Sequence, residues 1–144
     1  MCGFLVHYKF NENSFFSKEN FIKSAKLLKH RGPDDNYQIF DKKISMIFYR
    51  LSIMDQSKKG RQPMFSFSKR YLMVFNGEIY NAKELKKKIP SSIKLKSSSD
   101  SEVLINLYEL YGYKFLKFIK GMFSIVIYDR KSKKLFTARD RFGI

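Results

Sequence analysis

Cysteine is almost missing from this chain. Cys2 is the only thiol in 144 residues, so no internal disulfide can form and a secreted disulfide scaffold is excluded. With only 3 prolines and 7 glycines, the chain shows no linker, low-complexity segment or internal repeat. No apolar run approaches the ~20 residues needed to span a bilayer. The N-terminus also lacks a basic region followed by an apolar stretch, the mark of a signal peptide. These absences predict a cytoplasmic protein without a membrane partner.

Acidic residues are scarce too, 13 against 29 basic ones, which leaves a formal net charge of +16. Such a balance invites a nucleic-acid reading. However, lysine outnumbers arginine 22 to 7 and is scattered over the whole length. Readers of base edges favour arginine, whose guanidinium stacks and bonds bidentately. The densest run, Lys86-Lys87-Lys88, lies beside Leu85 and Ile89 and reads as a solvated helix face. No nucleic-acid partner is therefore expected. What is abundant is apolar material: 44% hydrophobic and 17% aromatic residues, enough for one domain with a substantial core.

Periodicity predicts blocks of strands and helices. CGFLVHYKF reads as an N-terminal strand, and Ser17 caps a helix reaching about Lys29 with Phe21, Ala25 and Leu28 on one face. YQIF and ISMIFYRL form a hairpin, and FSFS pairs with YLMVFN. Asn81 with Glu84 opens a short helix, SIKLK alternates as a strand, and Ser99 with Glu102 opens a second helix. MFSIVIYD and KLFTARD make a final hairpin. Blocks of this kind favour an α+β class with antiparallel sheets and packed helices.

Polar or glycine-containing strings punctuate these elements: HRGPD, RLSIMD, QPM, FNGEIYN, SDSEV and RDRFGI. With Met-Cys-Gly at the start, their order and spacing resemble the glutamine-hydrolysing domain of the asparagine synthetase family, a class II glutamine amidotransferase. The resemblance covers Cys2 to Ile144. It implies the N-terminal-nucleophile (Ntn) hydrolase αββα sandwich, two antiparallel sheets between helical layers, here C-terminally incomplete.

The chemistry of such a domain explains where the thiol sits. A thiol is a weak nucleophile until deprotonated, and some base must take its proton. Once Met1 is removed, Cys2 carries its own base, the new α-amino group, with a reference pKa of ~7.7–8.0. Neither His7 nor His30 is spaced for a triad or a metal site. Asn76-Gly77 suits an oxyanion hole: the Asn76 amide donates, and Gly77 brings a backbone N–H close with no Cβ in the way. A hairpin turn is the commoner use of that dipeptide. The resemblance assigns Arg50 to the glutamine α-carboxylate and Asp100 to its α-ammonium, with Glu78 beside it. Backbone groups of Leu51 to Ile53 orient the ligand. The plainer alternatives are an Arg50–Asp55 ion pair and an Asp100 that only caps its helix. Arg31 and Asp34 of HRGPD are expected to pin a loop near the site, and Gln62-Pro63-Met64 to be structural.

Residues 1–144 are thus expected to be a truncated glutaminase domain whose ATP-dependent synthetase domain is absent. No cofactor and no metal are expected in the glutaminase part; ATP and Mg2+ belong to the missing domain. The expected partners are L-glutamine, the synthetase domain of the parent chain and a possible homodimer. Three alternatives stay open on the sequence. One is a relative passing ammonia to a sugar in surface-polysaccharide biosynthesis. Another is an Ntn hydrolase cleaving a different amide, and the third a basic non-enzymatic nucleic-acid-binding module.

Overall fold

In the computed structural model, which describes residues 1–11, 15–53 and 55–143, two antiparallel sheets stack between helices. Met54 of RLSIMD and Ile144 of RDRFGI lie outside the described residues. The first sheet has the order β1-β3-β2, from β1 (Gly3–Tyr8), β2 (Asp35–Phe40) and β3 (Ile44–Arg50). The second has the order β4-β5-β6-β7, from β4 (Met64–Phe65), β5 (Tyr71–Ile79), β6 (Gly121–Asp129) and β7 (Lys134–Arg139). The helices are α1 (Lys18–Lys26), α2 (Ala82–Lys86) and α3 (Asp100–Tyr111).

Three apolar clusters define the layers. Alternation along β3 sends Ile44, Met46 and Phe48 to one face, where they meet Leu72 and Val74 of β5 and Tyr128 of β6. This is the layer between the sheets. The opposite face of β3 offers Ile47 and Tyr49, which Phe21 and Ala25 of α1 cover. The opposite face of β5 offers Met73, Phe75 and Ile79, which pack with Leu85 of α2 and with Val103, Leu104 and Leu107 of α3. A helix, two sheets and two helices therefore stack in that order, as the resemblance implied. Every residue of β3 is buried because that strand is central and covered on both faces.

Two local expectations fail, each because a side chain outcompetes the backbone. SIKLK is not a strand: the Lys96 and Ser97 N–H groups donate to the Glu102 carboxylate rather than to a ladder. Glu102 is thereby diverted from the capping role expected of it, although Ser99 does cap α3 through the Ser101 N–H. Asn81 precedes α2 without capping it; its amide bridges the Phe118 carbonyl and the Lys120 N–H instead.

Candidate active site

Three strands lead out of the inter-sheet layer at the same end, and each changes chemistry as it leaves. On β3, after Ile44, Met46 and Phe48, the next residue in the alternation is Arg50. On β5, Leu72 and Val74 are followed by Asn76 and then Glu78. On β1, Phe4 and Val6 are preceded by Cys2. Gly3 pairs with Tyr49, which sets Cys2 beside Arg50 and Leu51. Cys2, Arg50, Leu51, Asn76 and Glu78 line one cavity of about 120 Å3, together with Ile53, Gly77 and Asp100. Of the candidates named from the sequence, Cys2, Arg50, Leu51, Ile53, Asn76, Gly77, Glu78 and Asp100 stand around it, Ser52 does not, and Ile53 is 73% exposed.

Cys2 is half-buried and held by backbone. The Leu51 N–H donates to Sγ at 3.3 Å, and Sγ lies 3.6 Å from the Leu51 carbonyl oxygen. The Cys2 carbonyl accepts from Arg31 Nε at 3.1 Å, and Asp34 Oδ2 accepts from the Ser52 N–H at 2.7 Å. The HRGPD loop therefore grips both the Cys2 backbone and the segment after Arg50. Leu51 spends both backbone groups on the cysteine.

Arg50 is 7% exposed, and its guanidinium donates to the backbone carbonyls of Ser57, at 2.7 Å, and Asp55. No carboxylate pairs with it among the described residues, whose ion pairs are Arg61–Asp35 and Arg70–Asp129. The expected alternative, an Arg50–Asp55 ion pair, is thus overturned. The Asp55 carboxylate turns away, accepting from the Ser57 N–H at 2.8 Å, the Ser98 N–H at 3.0 Å and Ser98 Oγ. Gly60 completes the setting: a Cβ there would lie 2.5 Å from Arg50 Nη2. A buried cation oriented by neutral carbonyls is a ready partner for an external anion.

Asp55 links the Arg50 loop to the residues leading into α3, and its hydrogen bonds make that link sensitive to acid. Bonds from Ser57 first, then from Ser98, outweigh the cost of burial and hold its carboxyl down to about 2. Its stabilising contribution is complete above about pH 4 and is lost as pH falls through the folded value. Replacing Asp55 by Asn is therefore expected to flatten the acid limb of a Tm-against-pH curve between about pH 4 and about pH 2. An acid limb identical to that of the unmodified protein would remove Asp55 as the lock.

The edge of β5 carries the remaining groups. β4 pairs Met64 with Met73 and Phe65 with Leu72, then stops. Beyond it the edge positions take side-chain partners. The Phe75 N–H donates to Gln62 Oε1 at 2.6 Å, and Gln62 Nε2 donates to the Phe75 carbonyl at 3.0 Å. The Ile79 N–H donates to Asp100 Oδ2 at 3.1 Å. By the two-residue alternation of a strand, the Gly77 N–H points to the same side, between these two plugs and toward the cavity. Asn76-Gly77 is therefore not a turn, and the strand does not end there as expected: both residues sit inside β5, opposite Ser124 and Phe123. Gly77 has φ +151, and a Cβ would fall 2.1 Å from the Met122 carbonyl oxygen. Only glycine fits. The Asn76 side chain, on the inter-sheet face, has no hydrogen-bond partner among the described residues.

Asp100 opens α3 and is 7% exposed. Burial pushes its carboxyl up from the ordinary value, against the hydrogen bond from Ile79, and the charge of Glu78 adds to the rise. A desolvated carboxylate beside a second carboxylate is a site that a cation would relieve. Besides opening α3, Asp100 thus ties the end of β5 through the Ile79 N–H. Sequence reasoning missed the contribution of Gly60 and the true partners of Asp55, and it read Gln62 as structural without its partner Phe75. QPM did carry a signal for Gln62, since a polar residue just before a strand was read only as structural.

A family model described as a glutamine amidotransferase domain matches residues 1–144. The chain belongs to that family. Among relatives, it is 44% identical over 120 residues to asparagine synthetase [glutamine-hydrolyzing] 2 of Bacillus subtilis (strain 168), covering 83% of this chain and 16% of that protein. It is 37% identical over 144 residues to asparagine synthetase [glutamine-hydrolyzing] of Triphysaria versicolor, covering 100% of this chain and 24% of that one. This amidotransferase chain thus spans a quarter or less of the length of these relatives. A solved structure, the glutamine phosphoribosylpyrophosphate amidotransferase of B. subtilis complexed with ADP and GMP, superposes with a TM-score of 0.54 at 22% identity. It covers 69% of this chain and 24% of its own, and the likeness shows the Ntn-hydrolase fold. None of these comparisons supports the sugar-acceptor, other-amide or nucleic-acid alternatives. No helix among the described residues is long and apolar enough to cross a membrane.

Proposed function

We propose that this amidotransferase domain hydrolyses L-glutamine to glutamate and supplies the ammonia to an ATP-dependent synthetase domain that makes asparagine from aspartate. One observation carries the glutaminase reading. A thiol, an unpaired buried guanidinium, a buried carboxylate and an Asn-Gly donor pair converge on a single cavity. These groups suit, by charge and reactivity, the three functional ends of a glutamine molecule. Its α-carboxylate takes Arg50 and its α-ammonium takes Asp100 with Glu78. Its side-chain amide reaches Cys2, and Leu51 and Ile53 shape the wall between.

With Met1 removed, the Cys2 α-amine accepts the thiol proton and Sγ attacks the amide carbon, forming a C–S bond. Charge collects on the amide oxygen, where the Asn76 side chain and the Gly77 N–H donate; one lost donor of this kind costs ~2.7–4 kcal/mol. The α-ammonium returns its proton to the nitrogen as the C–N bond breaks and ammonia leaves. Water then attacks the γ-glutamyl thioester, releasing glutamate and restoring the thiol. Neither a metal nor a cofactor is required by these steps. The aspartate acceptor, with ATP and Mg2+ in the synthetase domain, rests on the glutamine-hydrolyzing asparagine synthetases that the chain resembles. Self-association into a homodimer and residence in the cytoplasm belong to the same proposal.

The base assignment is tested by processing. Protein that retains Met1 is expected to release glutamate at a background rate. Treatment with methionine aminopeptidase should raise that rate in proportion to the fraction of chains lacking Met1, read by intact mass. Equal activity in the two forms would remove the α-amine as base.

A further inference from the structure

We infer that Gln62 is a positioning residue for the oxyanion donors, standing in for the strand that β4 fails to provide. The inference rests on the glutaminase reading and goes beyond it. The β4–β5 register, continued by two steps past Met64↔Met73, places Gln62 opposite Phe75. Backbone pairing would normally fill that position. Instead the Gln62 side chain turns in, 6% exposed, and makes both ladder bonds itself, donating to the Phe75 carbonyl and accepting from the Phe75 N–H.

The substitution has two consequences. The backbone preceding Gln62 is released from the sheet, so that Gly60 can pass the Arg50 guanidinium, where a Cβ would lie 2.5 Å from Nη2. The β5 edge is also held firm one residue before Asn76 and two before the Gly77 N–H. Without the Gln62 amide, Phe75 would keep an unpaired N–H and carbonyl beside the cavity. The edge would then relax toward water or toward other partners, because buried backbone groups do not stay unsatisfied. The glutamine therefore fixes the edge that carries the donors facing the reacting amide, while Arg50 keeps its own hold on the Ser57 and Asp55 carbonyls. Gln62 lines the cavity, but its side-chain hydrogen bonds go to Phe75 and not to the thiol or to Arg50. Its removal should weaken stabilisation of the transition state and leave ground-state binding intact.

The test uses the intact protein that carries this domain, with glutamate release as the readout. Gln62→Met, of similar length but without either hydrogen bond, is expected to lower kcat by roughly 10- to 100-fold, since misplacement by about 1 Å can cost 10²-fold. KM should stay within about 3-fold. Alkylation of Cys2 by iodoacetamide should be unchanged, because displacement of iodide at a saturated carbon develops no oxyanion. Gln62→Glu supplies a second readout that bulk destabilisation does not mimic. Its ionised oxygen faces the Phe75 carbonyl, but its protonated form restores an O–H donor. The ratio of its kcat to that of the unmodified protein should therefore rise as pH falls from about 8 to about 6, in the range to which burial lifts a carboxyl.

Full kcat in Gln62→Met overturns the inference. So does a parallel loss of kcat, KM and alkylation rate, or a flat pH ratio in Gln62→Glu. The glutaminase reading fails differently: the unmodified protein would release no glutamate, or the Cys2→Ala protein would still release it.

Discussion

Replacing Cys2 by alanine is expected to abolish glutamine hydrolysis while leaving the fold intact. The loss should be at least about 10³-fold in kcat, because removing a covalent nucleophile eliminates the pathway rather than one interaction within it. The fold has little at stake. Cys2 lies outside β1, is only partly buried against the inter-sheet layer, and among the described residues its sulfur hydrogen-bonds the backbone of Leu51, at 3.3 and 3.6 Å. Losing so weak a hydrogen-bonding partner should cost no more than about 1 kcal/mol of stability. Alanine is also small enough at position 2 for Met1 to be removed, so the α-amine survives and the thiol alone is tested. Glutamate release at a comparable rate by the purified variant, with Met1 shown by mass to be gone, would end the assignment of Cys2.

Gly77→Ala should damage both the fold and the activity, for a reason that belongs to the backbone. At φ +151 an L-residue is strained, and the alanine Cβ would meet the Met122 oxygen at 2.1 Å and Phe123 Cα at 2.7 Å. These are main-chain atoms of the paired strand, so no rotamer change relieves the contact. Strain at such a conformation costs about 1–3 kcal/mol. Forcing the neighbouring strand away costs about as much again. A combined loss of roughly 3–5 kcal/mol is a large share of a domain's usual 5–15 kcal/mol. In a chain of this size it should lower Tm by on the order of 10 °C. Activity should fall further than the folded fraction does, since β5 must part from β6 at the very residue whose N–H is proposed to donate to the amide oxygen. A Gly77→Ala protein with unchanged Tm and unchanged kcat would show that the backbone does not take this path.

The two predictions differ in what they probe. Cys2 is proposed as a chemical requirement, and the sequence pointed to it only in company: a lone thiol beside an initiator methionine reads by itself as an accidental small residue, and the strings HRGPD, RLSIMD and FNGEIYN made it a candidate. Gly77 is a geometric requirement, and the sequence only hinted at it. The dipeptide Asn76-Gly77 is more often a turn; the helix expected after EIYN argued against a hairpin, but nothing local placed the pair inside a strand. The paired strand β6, more than 40 positions away, makes the difference by crowding the Cβ position.

Other elements divide in the same way. The Ser17 and Ser99 caps, the β2–β3 and β6–β7 hairpins and the stripe of α3 follow from short-range patterns and were all legible. SIKLK and Asn81 were misread because each propensity argument was local while the deciding partner was not. Glu102 captures the amides of Lys96 and Ser97, and the Asn81 side chain is claimed by Phe118 and Lys120. Asp55 looked like a natural counter-ion for Arg50, five residues away. The loop instead turns its carboxylate toward Ser98 and offers Arg50 only a carbonyl. That reversal leaves the guanidinium without a carboxylate partner, which is what a carboxylate clamp needs.

By itself, the sequence determined the identity of the groups: a single thiol at position 2, an arginine closing an apolar strand, an Asn-Gly pair and an acidic residue at a helix start, within alternating patterns that demand two-sided sheets. Only the tertiary structure decided that these groups meet. Alternation fixes which face of a strand a residue takes, but not which sheet covers that face or where the partner strand stops. Packing β3 on β5 and ending β4 at Met64 settle both, because together they carry Cys2, Arg50 and Asn76 past the end of one apolar layer and leave an open edge beside Gly77.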